Sequence, residues 1–179
     1  MKLKKLTVLS MFTTLALIIF TVESAIPPLV PIPGIKLGLA NIVTLVILHN
    51  YSAKDALLVL LMRILLSSFF FGQAMSLLYS LAGGLLCLVA MVLVHRLLQG
   101  HILYLISMVG AIFHNLGQLT VAYFITSVPG VLVYLPFLLI SGILTGLFTG
   151  LCAHFIQKYL WPLTDGSRFF PKSGDDNWE

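Results

Sequence analysis

The chain has 179 residues, of which 59% are hydrophobic and only 9% are charged, and its mean hydropathy is +1.06. This composition excludes a soluble globular domain, because such a domain needs a polar surface. Polar and apolar residues do not alternate with a period of two, which excludes an outer-membrane β-barrel. The net charge of +4 reflects an excess of basic residues on one side of the membrane, so nucleic-acid binding has no support.

Six apolar segments predict an all-α integral membrane protein, a bundle of six transmembrane helices. A helix needs about 20 residues to cross a hydrocarbon core of about 30 Å. The segments are residues 6–24, 37–49, 53–71, 74–94, 102–126 and 131–160. The second is short, and we expect it to span only with its flanks or where the bilayer thins. We therefore predict a membrane domain over residues 1–160 and a polar cytoplasmic tail over residues 161–179, where Trp161 and Pro162 end the last helix.

Basic residues predict the orientation of this bundle. Those on the side of the N-terminus are Lys2, Lys4, Lys5, Lys54, Arg96, Lys158, Arg168 and Lys172. Only Lys36 falls on the opposite side. The positive-inside rule then places both termini in the cytoplasm of a bacterial cell, with the bundle in its cytoplasmic membrane. The first segment resembles a signal peptide, but its apolar run is long and Glu23 suits a cleavage site poorly, so we expect it to be retained.

The first outer connection, AIPPLVPIPGIK over residues 25–36, is rich in proline and otherwise mostly apolar. Prolines fix φ and prevent a regular helix, so a stiff extended loop is predicted. The loop lies either on the membrane surface or as a lid over the outer mouth of the bundle. The candidate lid residues are Pro31, Pro33, Gly34 and Lys36.

Arg63 lies near the middle of the third apolar segment, about 12 Å from Asp55 at about 1.5 Å per helical residue. An ionisable side chain at this depth costs at least about 2.5–3.5 kcal/mol and normally faces the bundle interior or a cavity. Arg63 therefore either binds the anionic group of a solute or pairs inside the bundle, for example with Glu23.

Other polar residues in apolar segments complete a candidate solute site. His114 and Gln118 share a helical face, and Asn115 adjoins them. Asn41 lies in the short second segment and Tyr79 near the outer interface. Neutral His, Asn and Gln offer donors and acceptors to a polar solute. Each also has a structural alternative, as a satisfied buried group, a helix-to-helix hydrogen bond or an interfacial aromatic residue.

Gly142, Gly146 and Gly150 in the sixth segment form two overlapping GxxxG motifs. Such a ridge is typical of close helix packing, either within the bundle or against a separate membrane partner. The sequence has no Walker A motif and no metal-ligand motif, and Cys87 and Cys152 lie in apolar runs. We therefore predict no bound metal, no cofactor and no ATP hydrolysis by this chain alone.

Three stretches, PIPGIKLGLANIVTL (31–45), LLYSLAGGLL (77–86) and AIFHNLGQL (111–119), together with the arginine segment, make a recognisable combination. The chain resembles the Gx transporter family over residues 6–159. That family is also labelled heptaprenyl diphosphate synthase component I and is similar to the S components of energy-coupling factor (ECF) vitamin transporters.

The resemblance implies a six-helix bundle whose first outer loop covers an outward-facing site. It assigns residues 31–39 to the lid and places Asn41, Arg63, Tyr79, His114, Asn115 and Gln118 in the solute pocket. It also implies an energising partner, a membrane coupling protein with two ATPases. In S components, alanines four apart on the first helix serve docking, whereas Ser10 and Thr14 have that spacing here.

Two functions from different classes remain. The first is a non-enzymatic membrane protein that contacts lipids and takes up a small, anionic or neutral, solute from outside. The second is a non-catalytic membrane subunit associated with heptaprenyl diphosphate synthesis, and so with isoprenoid or menaquinone synthesis. Chain elongation needs clustered carboxylates to hold Mg²⁺ against a diphosphate, and the membrane domain contains only Glu23 and Asp55.

Overall fold

The computed structural model describes residues 3–26, 36–71 and 74–160, and the regular structure in these ranges is entirely helical. The predicted all-α fold is confirmed. The six α-helices are α1 (Leu3–Ser24), α2 (Asn41–Asn50), α3 (Ala53–Phe71), α4 (Ala74–Leu97), α5 (Leu103–Thr126) and α6 (Leu135–Phe155). A 3₁₀ turn, Pro129–Tyr134, precedes α6, and a π-helical turn, Ile156–Leu160, extends it.

Four helical stretches of the described chain are long and apolar enough to cross a membrane. They are Leu3–Ser24, Met75–Leu97, Leu103–Thr126 and Pro129–Tyr159. Helix α3 is 19 residues long, but any 18 consecutive residues of it contain Lys54, Asp55 and Arg63. Each of the four has a stretch of 18 residues with at most 2 charges. Helix α2 has 10 residues and rises only about 15 Å, which is too short to cross alone. The chain is therefore a membrane protein, while six spans and the side of the termini stay predictions.

Helix α2 occupies the centre of the bundle. It contacts α1, α3, α4, α5 and α6, and most of its side chains are buried. Helix α5 packs between α4 and α6, and α3 connects α4 to α1. A helix that is apolar on every side is expected in such a central position. Large apolar side chains such as Phe69, Phe124 and Phe137 are exposed on the outside, as lipid contact requires.

The glycine ridge of α6 lies against α5. A Cβ added at Gly146 would lie 2.5 Å from the Cα of Met108, and one added at Gly150 would lie 2.5 Å from the Cα of Tyr104. Such short distances to backbone atoms mean that only glycine allows the two helices to approach this closely. Gly142, Gly146 and Gly150 are all buried, so a separate partner has no access to the ridge in this structure.

An ion pair joins α1 to α3 at the end of the bundle where both helices begin. Lys5 Nζ on α1 lies 2.9 Å from a carboxylate oxygen of Asp55 on α3. Ser52 donates to the other carboxylate oxygen at 2.6 Å and accepts the Asp55 N–H at 3.2 Å. These bonds cap the start of α3. Asp55 is thus fully engaged far from the candidate solute site.

Candidate functional site

Arg63 lies on the inward face of α3 and is only 3% exposed. Val59 and Ser67, four residues before and after it, are buried on the same face, as helical spacing dictates. The bundle thus encloses a guanidinium near the middle of a helix, where a charge is costly unless it has a partner. The hydrogen-bond partners of this side chain decide between a structural role and a ligand-binding role.

Two nitrogens of Arg63, Nε and Nη2, are buried and have no hydrogen-bond partner among the described residues. Within those residues the side chain also forms no direct ion pair. Its guanidinium carbon lies 5.8 Å from the ring centroid of Phe20, which is within cation–π range. Glu23 attracts the guanidinium from a greater distance than a direct ion pair. The edge formed by Nε and Nη2 therefore has no hydrogen-bond partner among the described residues.

Glu23, near the C-terminal end of α1, is buried and engaged elsewhere. Its carboxylate accepts the backbone N–H of Gly38, and the amide of Ala40 also stabilises its charge. Both amides immediately precede Asn41, the first residue of α2. A carboxylate in this position also benefits from the positive end of the helix dipole. Glu23 thus joins α1 to the start of α2 and is not a direct partner of Arg63.

Lys36, the last residue of the proline-rich loop, is held beside this cluster by hydrogen bonds. Its backbone N–H donates to Gln118 Oε1 at 3.2 Å, and its Nζ donates to Ser24 Oγ at 2.7 Å. The Nζ also lies 3.5 Å from the ring centroid of Phe20. Burial lowers the pKa of Lys36 to about 8, Glu23 opposes this shift and Arg63 adds to it. The side chain is therefore mostly charged at neutral pH.

His114 and Gln118 on α5 are both almost fully buried. Gln118 Oε1 accepts the Lys36 amide, so its Nε2 donates to His114 Nε2 at 3.0 Å. The hydrogen of a neutral imidazole then belongs on Nδ1, which lies beside Gly83 on α4 and has no hydrogen-bond partner among the described residues. Arg63 is close enough to act on His114 electrostatically. The hydrogen-bonded pair of His114 and Gln118 thus joins α5 to the end of the proline-rich loop at Lys36, next to Gly83 of α4.

Asn41 is buried at the first position of α2, and neither its amide oxygen nor its amide nitrogen has a partner among the described residues. Gly38 holds it near His114, because a Cβ at Gly38 would lie 2.8 Å from Asn41 Nδ2 and 2.8 Å from His114 Cδ2. Gly38 also has a φ of 83°, which favours glycine. Asn41 thus presents a free donor and a free acceptor beside the histidine.

The other two predicted site residues lie toward α6. Asn115 Nδ2 donates to the carbonyl of Leu138 at 2.7 Å, so Asn115 holds α5 to α6. Tyr79 is buried in an apolar cluster with Leu119, Ala122, Val131 and Leu138. The structure therefore brings Asn41, Arg63, His114 and Gln118 together and places Tyr79 in a packing position. Asn115 bonds α5 to α6 through Nδ2, while its Oδ1 is buried without a partner among the described residues. Pro31, Pro33 and Gly34 of the predicted lid, and the tail at 161–179, lie outside the described residues.

Sequence reasoning missed the contribution of Glu23 and Gly38 to this site. The sequence indicates Glu23 as a possible partner of Arg63, whereas the carboxylate accepts the backbone N–H of Gly38 just before α2. An acidic residue at the end of an apolar segment was the available clue. For Gly38, the clue was a glycine between the proline loop and the next helix.

The comparisons with known proteins give one match. The model of a family described as heptaprenyl diphosphate synthase component I matches residues 12–156. This confirms the family resemblance found in the sequence, under the second of its two labels. No curated protein and no solved structure matches the chain. The similarity to ECF S components stays a prediction.

Proposed function

This chain belongs to the heptaprenyl diphosphate synthase component I family, and we propose that it is a solute-binding component of a membrane transporter. In this proposal it spans the bacterial cytoplasmic membrane six times with both termini inside, and it takes up a small solute from outside. One observation carries the proposal: the buried guanidinium of Arg63 keeps two nitrogens without a partner among the described residues.

An arginine with a structural role would be satisfied by its surroundings. Burying a polar group without a hydrogen bond costs roughly 1–3 kcal/mol in proteins, and more for a charged group. Two nitrogens of Arg63 and both amide atoms of Asn41 are buried without a hydrogen-bond partner among the described residues, so the folded protein is destabilised at both side chains. Groups left open in this way are typical of a binding site whose ligand completes the hydrogen bonds.

The attachment of the proline-rich loop supports the transport proposal. Lys36 and Gly38, where the loop joins α2, bind Gln118 and Glu23 respectively. Those two side chains also belong to the cluster around Arg63. A solute in the cluster thus sits next to the anchors of the loop, and we propose that the loop acts as a lid over it.

An energising partner is part of the same proposal. A coupling protein with two ATPases would supply the energy that this chain lacks the motifs to generate. Because the α6 glycine ridge is buried, the partner would have to meet another surface. The outer face of α1 is one such surface, where Ser10 and Thr14 are exposed and bond only to carbonyls of their own helix.

A ligand screen tests the function. Purified protein is heated in detergent with vitamins, flavins and isoprenoid diphosphates, one at a time. A specific ligand at 100 times its Kd stabilises the protein by about 2.7 kcal/mol. We expect a stabilising solute whose effect disappears in Arg63→Gln and persists in Arg96→Gln, a matched change at an exposed arginine of α4. A screen without any stabilising solute would contradict the proposal.

The family description favours a second candidate, a subunit that assists heptaprenyl diphosphate synthesis. Such a role would be non-catalytic, because Glu23 and Asp55 are the only acidic residues before residue 161. One is bound to the start of α2 and the other to Lys5 and Ser52. If this role is correct, the purified chain should raise the activity of a prenyl diphosphate synthase catalytic subunit, and isoprenoid diphosphates alone should stabilise it.

A further inference from the structure

We propose that the solute carries a single negative charge, and that its two anionic oxygens bind side-on to the Nε–Nη2 edge of Arg63. This inference rests on the proposed function and narrows it to one chemical class. The class is a small organic carboxylate, or a phosphate diester with one negative charge, that also has a neutral polar part. Three observations support this class of solute independently. They are the net charge of the cluster, the unpartnered edge of the guanidinium and the unpartnered amide of Asn41.

The charges around the site do not balance. Three ionisable side chains, Glu23, Lys36 and Arg63, act on one another electrostatically. Counted with their ordinary charges at neutral pH, two are cationic and one is anionic, so the cluster has one formal positive charge in excess when His114 is neutral. The other acidic residue of the described chain, Asp55, is paired with Lys5 at the opposite end of the bundle. A ligand with one negative charge would restore neutrality, whereas a dianion would reverse the imbalance.

Glu23 does not supply the missing anion. Its carboxylate is turned to the amides of Gly38 and Ala40 and makes no direct ion pair with Arg63. If Glu23 moved to Arg63, the start of α2 and the loop end would lose their anchor. The counter-charge for the guanidinium therefore has to come from outside the described chain.

The open edge of Arg63 defines the shape of the anionic group. Nε and the Nη2 nitrogen lie on the same side of a planar guanidinium and point two parallel N–H bonds outward. This fork matches two oxygens of a carboxylate or a phosphate. Both nitrogens are buried and without a partner among the described residues. A halide or a neutral carbonyl offers one acceptor atom, so it cannot give each N–H an acceptor of its own.

Asn41 indicates what else the solute carries. Its amide has one free acceptor and one free donor group, both buried, next to the His114 ring across Gly38. These groups can bind a neutral part with its own donor and acceptor, such as an amide or hydroxyl. The solute is thus an anion at one end and a neutral hydrogen-bonding group at the other.

Matched pairs of probes test the charge requirement. Melting of the detergent-purified protein is measured with lactate against lactamide, acetate against acetamide, and benzoate against benzamide, at constant ionic strength. Dimethyl phosphate, a phosphate diester with one negative charge, tests whether a phosphate can take the place of the carboxylate. We expect lactate to raise the melting temperature more than acetate, and each neutral amide to leave it unchanged. Dimethyl phosphate without any carboxylate effect would assign the site to phosphate diesters.

Variants locate the effect at Arg63. Arg63→Gln should abolish the stabilisation by lactate, and the exposed control Arg96→Gln should retain it. Should Arg63→Gln not fold, Arg63→Lys keeps the charge without the fork and should weaken the apparent lactate affinity by about tenfold. The proposal is overturned if stabilisation survives unchanged in the Arg63 variants, if the amides act as well as the acids, or if no anion acts.

These failures differ from a failure of the transport proposal. If a neutral vitamin stabilises the protein through Arg63 while all the anions fail, the inference about charge is wrong and solute binding stands. If neither neutral nor anionic compounds bind, both are wrong.

Discussion

The excess positive charge at the site predicts that removing a cation and removing the anion change the stability of the ligand-free protein by different amounts. Arg63→Met removes a cation and leaves Lys36 balanced by Glu23. Glu23→Gln removes the anion and leaves two cations facing each other. Gln retains an oxygen that can accept the Gly38 N–H, so this substitution isolates the loss of charge. We therefore expect Glu23→Gln to destabilise the protein strongly and Arg63→Met to have little effect.

The size of the difference follows from Coulomb's law. Two unit charges about 6–8 Å apart interact by about 2–3 kcal/mol at an effective dielectric constant of about 20. Glu23→Gln loses its attraction to Arg63 and a smaller, solvent-screened attraction to the half-buried Lys36. We expect a loss of about 2–4 kcal/mol, or about 4–16 °C at about 2–4 °C per kcal/mol for a chain of this length.

Arg63→Met loses the same attraction to Glu23, but it also removes an unpaired charge whose placement in the membrane costs about 2.5–3.5 kcal/mol. The two effects nearly cancel, so its unfolding free energy should stay within about 1 kcal/mol of the unsubstituted protein. Loss of circular dichroism at 222 nm on heating measures both variants and the double variant. The double variant should be more stable than Glu23→Gln alone, because it no longer contains the uncompensated guanidinium. If Arg63→Met is as unstable as Glu23→Gln, then Arg63 is a structural residue and the reasoning fails.

Two further predictions concern the framework of the bundle. Gly146→Ala should lower the unfolding free energy by about 2–4 kcal/mol, since overpacking a tight contact costs about 1–3 kcal/mol or more and the new Cβ would meet the Met108 backbone at 2.5 Å. Gly130→Ala is the control, because its nearest neighbour would be a Val128 side-chain atom at 3.6 Å; equal melting temperatures would refute close α5–α6 packing. Single cysteines at Ser52 and Ser127, in a background without Cys87 and Cys152, should react with an impermeant thiol reagent only from inside and only from outside respectively. Reversed labelling would disprove the predicted orientation.

The helices could be predicted closely because hydrophobic length alone defines them. The third segment was predicted over 53–71, and α3 is Ala53–Phe71. The second was predicted over 37–49, whereas α2 begins at Asn41, since Gly38 has a positive φ and Glu23 holds its amide. The last segment, 131–160, divides into a 3₁₀ turn, α6 and a π turn. Such local changes of hydrogen bonding leave hydropathy unchanged.

The site could be predicted only in part. Helical periodicity places His114 and Gln118 on one face, and the cost of a buried charge turns Arg63 inward. The same reasoning cannot distinguish a polar residue that faces a ligand from one that holds two helices together. Asn115 and Tyr79 look equally suitable in the sequence, yet one bonds to the Leu138 carbonyl and the other packs among apolar side chains. Only tertiary contacts separate these cases.

Selection of ligands from a mixture tests the central claim most directly. The purified protein, Arg63→Gln and Arg96→Gln are each incubated with the same bacterial metabolite extract and washed, and the compounds they release are identified by mass spectrometry. We predict that at least one small compound with a single negative charge is enriched on the unsubstituted protein and on Arg96→Gln, and is absent from Arg63→Gln. Equal retention by Arg63→Gln, or no retained compound on any of the three proteins, would contradict a solute site at Arg63.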